Sequence, residues 1–199
     1  MWRELATPTT IDSRIWPRTA AIAERLWSNE NITDMASLRK RMNVISLQLQ
    51  ELGITHIRNK EVLLRNISNN QTNTALEDFS NICEPLKIYS RNSEGTEYKT
   101  YSPFTLFADA CTPDAKDALG FDAAVTNYLK NKNLENQILV TDYLKKWINV
   151  NAKLIELSSN APLVHPLLPL SKSLSDLSQQ LLSKIEKKHL KYLLFDFHQ

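Results

Sequence analysis

The 199-residue chain carries 24 Lys and Arg against 22 Asp and Glu, for a formal net charge of +2, and is 42% hydrophobic and 23% charged. That balance is ordinary for a globular chain with room for one sizeable core or two small ones, and no basic stripe argues for nucleic acid or a membrane surface as a partner. No apolar run reaches the roughly 18 residues of a spanning helix, and the start lacks the basic, apolar and small-residue succession of a secretory leader.

The opening, "MWRELATPTTIDS", reads as the end of a strand followed by a polar loop, as though the chain were entered partway along a larger fold. A helix is predicted from about Pro17 to Trp27, with Pro17 in its first turn and Ala20, Ala21 and Ala23 small enough for close backbone packing. The next helix has Thr33 as its expected N-cap. Its buried stripe is Leu38, Met42, Ile45, Leu49 and Leu52, and Gly53 is placed to end it as a left-handed cap.

From Asn59 to Lys87 the pattern predicts two shorter helices divided by "SNNQTNT". Tyr89 to Phe104 has no helical period and reads as a long loop or a small hairpin. A helix is expected to restart with Thr112 as cap and Pro113 in the first helical position. Two long helices follow, one with Leu144, Trp147, Ile148, Leu154 and Ile155 on a face, the other with Leu174, Leu177, Leu181, Ile185 and Tyr192. The proline-bearing "SSNAPLVHPLLPLSKS" breaks them apart.

Only three glycines occur, which argues for helices, since tight hairpins need residues that tolerate positive φ. Cys83 and Cys111 sit far apart in no metal-ligand spacing; one disulfide is open to them, but buried thiols are the simpler reading. His56, His165, His189 and His198 are scattered, so neither a metal nor another cofactor is expected.

One ordered set of motifs carries more. Met1, Trp2 and Glu4 are followed by Arg14, Trp16, Pro17 and Arg18, and then by Ala23, Glu24, Arg25, Leu26, Trp27 and Ser28. This succession resembles the end of the catalytic domain of glycoside hydrolase family 20, the β-N-acetylhexosaminidases. The resemblance implies that residues 1–58 are the C-terminal end of a (β/α)8 catalytic barrel, its last strand end and last helix, and that 59–199 form a helical C-terminal domain. The expected fold is therefore an all-α, multi-helix module preceded by a barrel remnant, with the earlier strand–helix units outside this chain.

Active sites of such barrels lie at the C-terminal strand ends and draw on loops from all the strands. By the same resemblance, Trp2 walls the pocket for the substrate's N-acetyl group, an indole being a rigid apolar face, and Glu4 accepts hydrogen bonds from the sugar hydroxyls at O4 and O6. The implied partner is an N-acetylhexosamine-containing glycan, with no nucleic acid and no membrane.

The family's chemistry is substrate-assisted, and the resemblance implies an adjacent Asp-Glu pair on an earlier strand. The chain contains no Asp-Glu dipeptide; "LED" at Leu76–Asp78 is the reverse order. This piece is accordingly expected to be inactive alone, with no catalytic residue of its own, and the intact parent is expected to be exported. A non-catalytic helical module that binds a partner or carbohydrate is the alternative.

Arg14, Arg18, Glu24 and Arg25 read as structural ties, and Trp16 and Trp27 as packing residues. Tyr98, between Tyr89 and Tyr101, lies in what reads as an ordinary solvated loop rather than a sugar-binding edge. A last helix stripped of its barrel would expose an apolar face, so repacking onto the tail or self-association is expected.

Overall fold

The computed structural model describes residues 10–85 and 103–196. Among these there are helices and no strand. Trp2 and Glu4 lie outside the described residues, as does the segment from Tyr89 to Tyr101. The chain divides into two compact units: residues 1–63 with 86–100, and residues 64–85 with 101–199.

The first unit begins with α1 (Ile11–Ile15), a short helix where the sequence reads as a polar loop. The cis Trp16–Pro17 peptide leads into α2 (Arg18–Trp27), so Pro17 caps the helix rather than joining its first turn. Its carbonyl accepts from the Ala20 amide at 2.9 Å, and Thr19 Oγ1 donates to the Ile15 carbonyl. No residue of α2 is buried.

Helix α3 (Met35–Glu51) is capped by Asp34, one residue later than expected. Its carboxylate accepts from the Ala36 and Ser37 amides at 2.9 and 3.1 Å. A carboxylate at this position also suits the positive end of the helix, an advantage that the Thr33 hydroxyl lacks. At the other end Gly53 adopts φ +90°, its amide donates to the Gln50 carbonyl, and the Ile54 amide donates to Leu49. This is the Schellman arrangement. The expected stripe is half-buried at Leu38, Met42, Ile45 and Leu49, but Leu52, already at the cap, is exposed.

Helix α4 (His56–Ile67) starts before the Asn59 boundary expected for it, and the division between the units falls within it. In the second unit its end is closed by Asn69 and Asn70, with φ of 51° and 59°. The Asn70 amide reaches back to the Arg65 carbonyl at 3.0 Å. Asparagine is the residue other than glycine that most readily takes this left-handed cap.

Helices α5 (Thr74–Ser80) and α6 (Pro103–Ala110) meet through stacked Phe79 and Phe107 rings, 5.2 Å apart. Helix α7 (Lys116–Lys130) begins three residues after Pro113. Thr112 Oγ1 is turned as a donor to the Asp114 carbonyl and does not cap it; the Asp117 amide instead donates to the Asn81 carbonyl at 2.9 Å.

The spine of this unit is α8 (Leu134–Ser158) against α9 (Leu168–Asp196), joined by a 3-10 helix over Pro162–Leu167. Leu144, Trp147 and Leu154 are buried as the spacing predicts, whereas Ile155 is exposed. On α9 Leu174, Leu181 and Ile185 pack against the α8 core beside the buried Ser171, Ser175 and Ser178, and Leu177 faces solvent. Small side chains let the backbones approach, and their hydroxyls bond locally: Ser178 to the Leu174 carbonyl, Ser171 to the Leu168 carbonyl and to Asn151.

Phe121, Tyr143 and Trp147 form an aromatic cluster between α7 and α8. A Cβ on Gly120 would collide with the Tyr143 hydroxyl, so that helical glycine makes room for the ring. Cys83 is half-buried and Cys111 buried, both as thiols. Burial pushes the Cys83 thiol up to about 11, which leaves it unreactive.

Candidate functional site

With Trp2 and Glu4 outside the described residues, the structure describes the ground that follows them in the chain: α1, α2, α3 and the start of α4, all in the first unit. Two polar clusters hold it together. In the first, Asp12 Oδ2 accepts from both the amide and the hydroxyl of Thr55, at 2.8 and 2.7 Å. Asn59 Nδ2 donates to that hydroxyl at 2.7 Å, and His56 Nε2 lies 2.6 Å from Ser46 Oγ. The two Thr55 hydrogen bonds hold the Asp12 carboxyl below its ordinary value.

Ser46 and His56 have the spacing of a nucleophile and its base, but not the rest of that machinery. The ring is buried, its Nδ1 has no hydrogen-bond partner, and the nearby Asp12 oxygen is committed to Thr55. No third group orients the imidazole, as a hydrolytic triad requires. The cluster is structural.

The second cluster joins α2 to α3. Arg41 Nε donates to Glu24 Oε2 at 3.1 Å, its Nη2 reaches Glu24 Oε1, and its Nη1 reaches Ser37. These bonds hold the Glu24 carboxyl below, and the Arg41 guanidinium above, their usual values. Arg25 clamps the turn between the helices, donating to the carbonyls of Ile32 and Glu30 at 3.2 and 3.1 Å. Arg14 is buried. The structural reading of Glu24 and Arg25 stands on these bonds.

Trp16 is half-buried, but Trp27 is 87% exposed and packs on little here, against the expectation for it. The cleft between α2 and α3, about 200 Å³, is lined by Ala21, Ile32, Met35 and Leu38 beside Glu24 and Arg41. Its ion pair is closed on itself, so it offers shape without a charged group to spare for a sugar. No group of three His, Cys, Asp or Glu among the described residues could hold a metal, and no helix among them is long and apolar enough to cross a membrane.

The Asp12–Thr55 clamp spans 43 positions and is not legible in local spacing. Its one signal is a threonine at the cap position before His56, which also marks where α4 starts.

Residues 1–30 match the family model described as glycosyl hydrolase family 20, catalytic domain. The solved chitobiase of Flavobacterium johnsoniae is 64% identical to this chain and superposes with a TM-score of 0.88, over 94% of this chain and 29% of that one. The opening of the chain thus matches glycoside hydrolase family 20, and nearly all of its length is similar to a chitobiase of that family. Among curated relatives, β-hexosaminidase subunit beta of Mus musculus is 37% identical over 54 residues, 27% of this chain and 10% of the relative. The chitooligosaccharidolytic β-N-acetylglucosaminidase of Ostrinia furnacalis is 43% identical over 54 residues, 27% of this chain and 9% of its own length. The chain thus spans about a tenth of the curated family 20 relatives it matches. The helical region beyond that match is shared with the chitobiase, whose barrel this chain covers only in part.

Proposed function

We propose that the chain is the C-terminal part of a β-N-acetylhexosaminidase whose intact form removes terminal N-acetylhexosamine residues from glycans by substrate-assisted, retaining hydrolysis. The observation that carries this reading is the 64% identity to a chitobiase along 94% of the chain. Residues 1–58 contribute the end of the catalytic barrel and 59–199 a helical C-terminal domain.

In this reading Trp2 forms one wall of the acetamido pocket. Glu4 receives the hydroxyls at O4 and O6, each hydrogen bond to its charge contributing about 1.5–3 kcal/mol. The Asp-Glu pair that would orient the acetamide and protonate the leaving oxygen does not occur in this sequence, so the chain by itself is inactive. The intact protein is exported to where such glycans are met. The exposed apolar side of α2, at Ile22, Leu26 and Trp27, supports a missing barrel partner; in the isolated chain it favours self-association.

The test has two arms. The purified chain releases no chromogen above blank from a p-nitrophenyl N-acetylglucosaminide. In the full-length protein Glu4→Ala lowers kcat/KM at least about 150-fold, the loss of two charged hydrogen bonds at about 1.5 kcal/mol or more each. Turnover by the chain alone that Glu4→Ala abolishes overturns the reading.

A second reading concerns the tail, and the separate core of the second unit favours it: a non-catalytic helical module that supports the barrel or binds carbohydrate. Calorimetric titration of the chain with N-acetylglucosamine oligomers separates these two roles.

A further inference from the structure

His56 opens α4 almost completely buried, at 8% exposure. Its Nε2 meets Ser46 Oγ of α3 at 2.6 Å, and its Nδ1 is enclosed with no hydrogen-bond partner. Thr55, one residue earlier, gives its amide and hydroxyl to Asp12 of α1. Two adjacent residues thus tie three helices of the first unit together.

A neutral imidazole fits this seat: one nitrogen is paired with a hydroxyl, and the other is inert. An imidazolium does not, because both of its nitrogens are donors and, among the described residues, only Nε2 has a hydrogen-bond partner, Ser46 Oγ. A charged N–H would be left buried and unpaired, at the positive end of α4. The groups acting on the ring are Asp12 from α1, the uncharged Ser46 from α3, and from its own helix the first-turn backbone of α4. Asp12 attracts a cation, but its Oδ2 is already filled by two Thr55 donors.

We infer that Asp12, Thr55, His56 and Ser46 form an acid-sensitive joint: protonating His56 leaves a charged, unpaired Nδ1–H in its seat, which unseats the ring and loosens the hold of α1 on the start of α4. Burial holds the His56 ring below its ordinary 6.5, with Asp12 pulling the other way and losing. The unfolded chain therefore takes the proton first. The joint is at full strength above about 6.5 and weakens as pH falls through the depressed value. Asp12, itself held below 3.8, stays ionised across that window, so its loss belongs to a separate and more acid step.

Hydrogen exchange at the Thr55 amide, followed in the whole chain from about pH 7.5 to 5 and corrected for intrinsic rates, tests the joint. Protection at Thr55 is expected to fall severalfold while the amides of Val150 and Leu154 in α8 keep theirs. His56→Gln, which can still meet Ser46 but does not titrate, is expected to remove the step. Constant Thr55 protection, or a step that survives in His56→Gln, overturns the inference. Should that variant not fold, an NMR titration of the His56 ring decides: a midpoint below 6.5 supports the joint, and one at or above it sinks it.

Discussion

Helices α2 and α3 and helices α8 and α9 are built from similar material and end in opposite states. Each pair carries apolar residues at helical spacing, yet α2 and α3 bury none, while α8 buries Val140, Leu144, Trp147, Val150 and Leu154 among others. The first pair is held by Glu24–Arg41 and by Arg25 on two carbonyls, contacts that are worth little where water competes. The second is held by area removed from water, at about 25 cal/mol per Å², and by serines that let two backbones close up. An apolar stripe is therefore a demand for a partner. In the second unit it is met; at Ile22, Leu26 and Trp27 of α2 it is not, as expected of a helix that belongs against the rest of a barrel.

That contrast can be broken by mutation. The largest effect is expected at Leu154, fully enclosed in α8: Leu154→Ala should cost about 2–5 kcal/mol, read as a fall in the urea midpoint of the far-UV circular dichroism. A smaller loss, about 1 kcal/mol, is expected for Asp34→Ala, which removes the acceptor of two amides at the start of α3. Exchange protection of the Ala36 and Ser37 amides should fall with it, and α8 should be unmoved. The smallest belongs to Trp27→Ala, less than about 0.5 kcal/mol in this chain because the indole is exposed. The same change in the full-length protein should cost about 3–5 kcal/mol if a barrel covers the ring. Equal costs in the two backgrounds would remove the missing-partner account of α2.

What could be read in advance was what local chemistry determines. The Gly53 cap was legible because an αL position after an apolar stripe has few candidates other than glycine, and the break between α8 and α9 because Pro162, Pro166 and Pro169 crowd it. The Thr112 cap was not: its hydroxyl serves the Asp114 carbonyl, and a distant carbonyl, that of Asn81, takes the Asp117 amide instead. Leucine spacing on α9 was right for Leu174, Leu181 and Ile185, which pack on the α8 core, but not for the exposed Leu177, and it did not mark Ser171, Ser175 and Ser178, which are more fully buried. Periodicity ranks side chains by their aversion to water, and a close helix crossing selects them by size. Of the candidate site, the motif from Met1 to Ser28 was legible in order and spacing; the clamp that ties Asp12 to Thr55 was not, having no local pattern.

Caps, prolines and contiguous motifs act over a few residues, so the helical class, the places of the long helices and the family resemblance of the opening all follow from residue order. Tertiary packing settled which apolar faces are covered, that serines are buried on α9 beside its leucines, and that Asp12, Thr55, His56 and Ser46 meet. Those outcomes depend on which surfaces come into contact across tens of residues of chain, and burial is a property of the contact rather than of the residue.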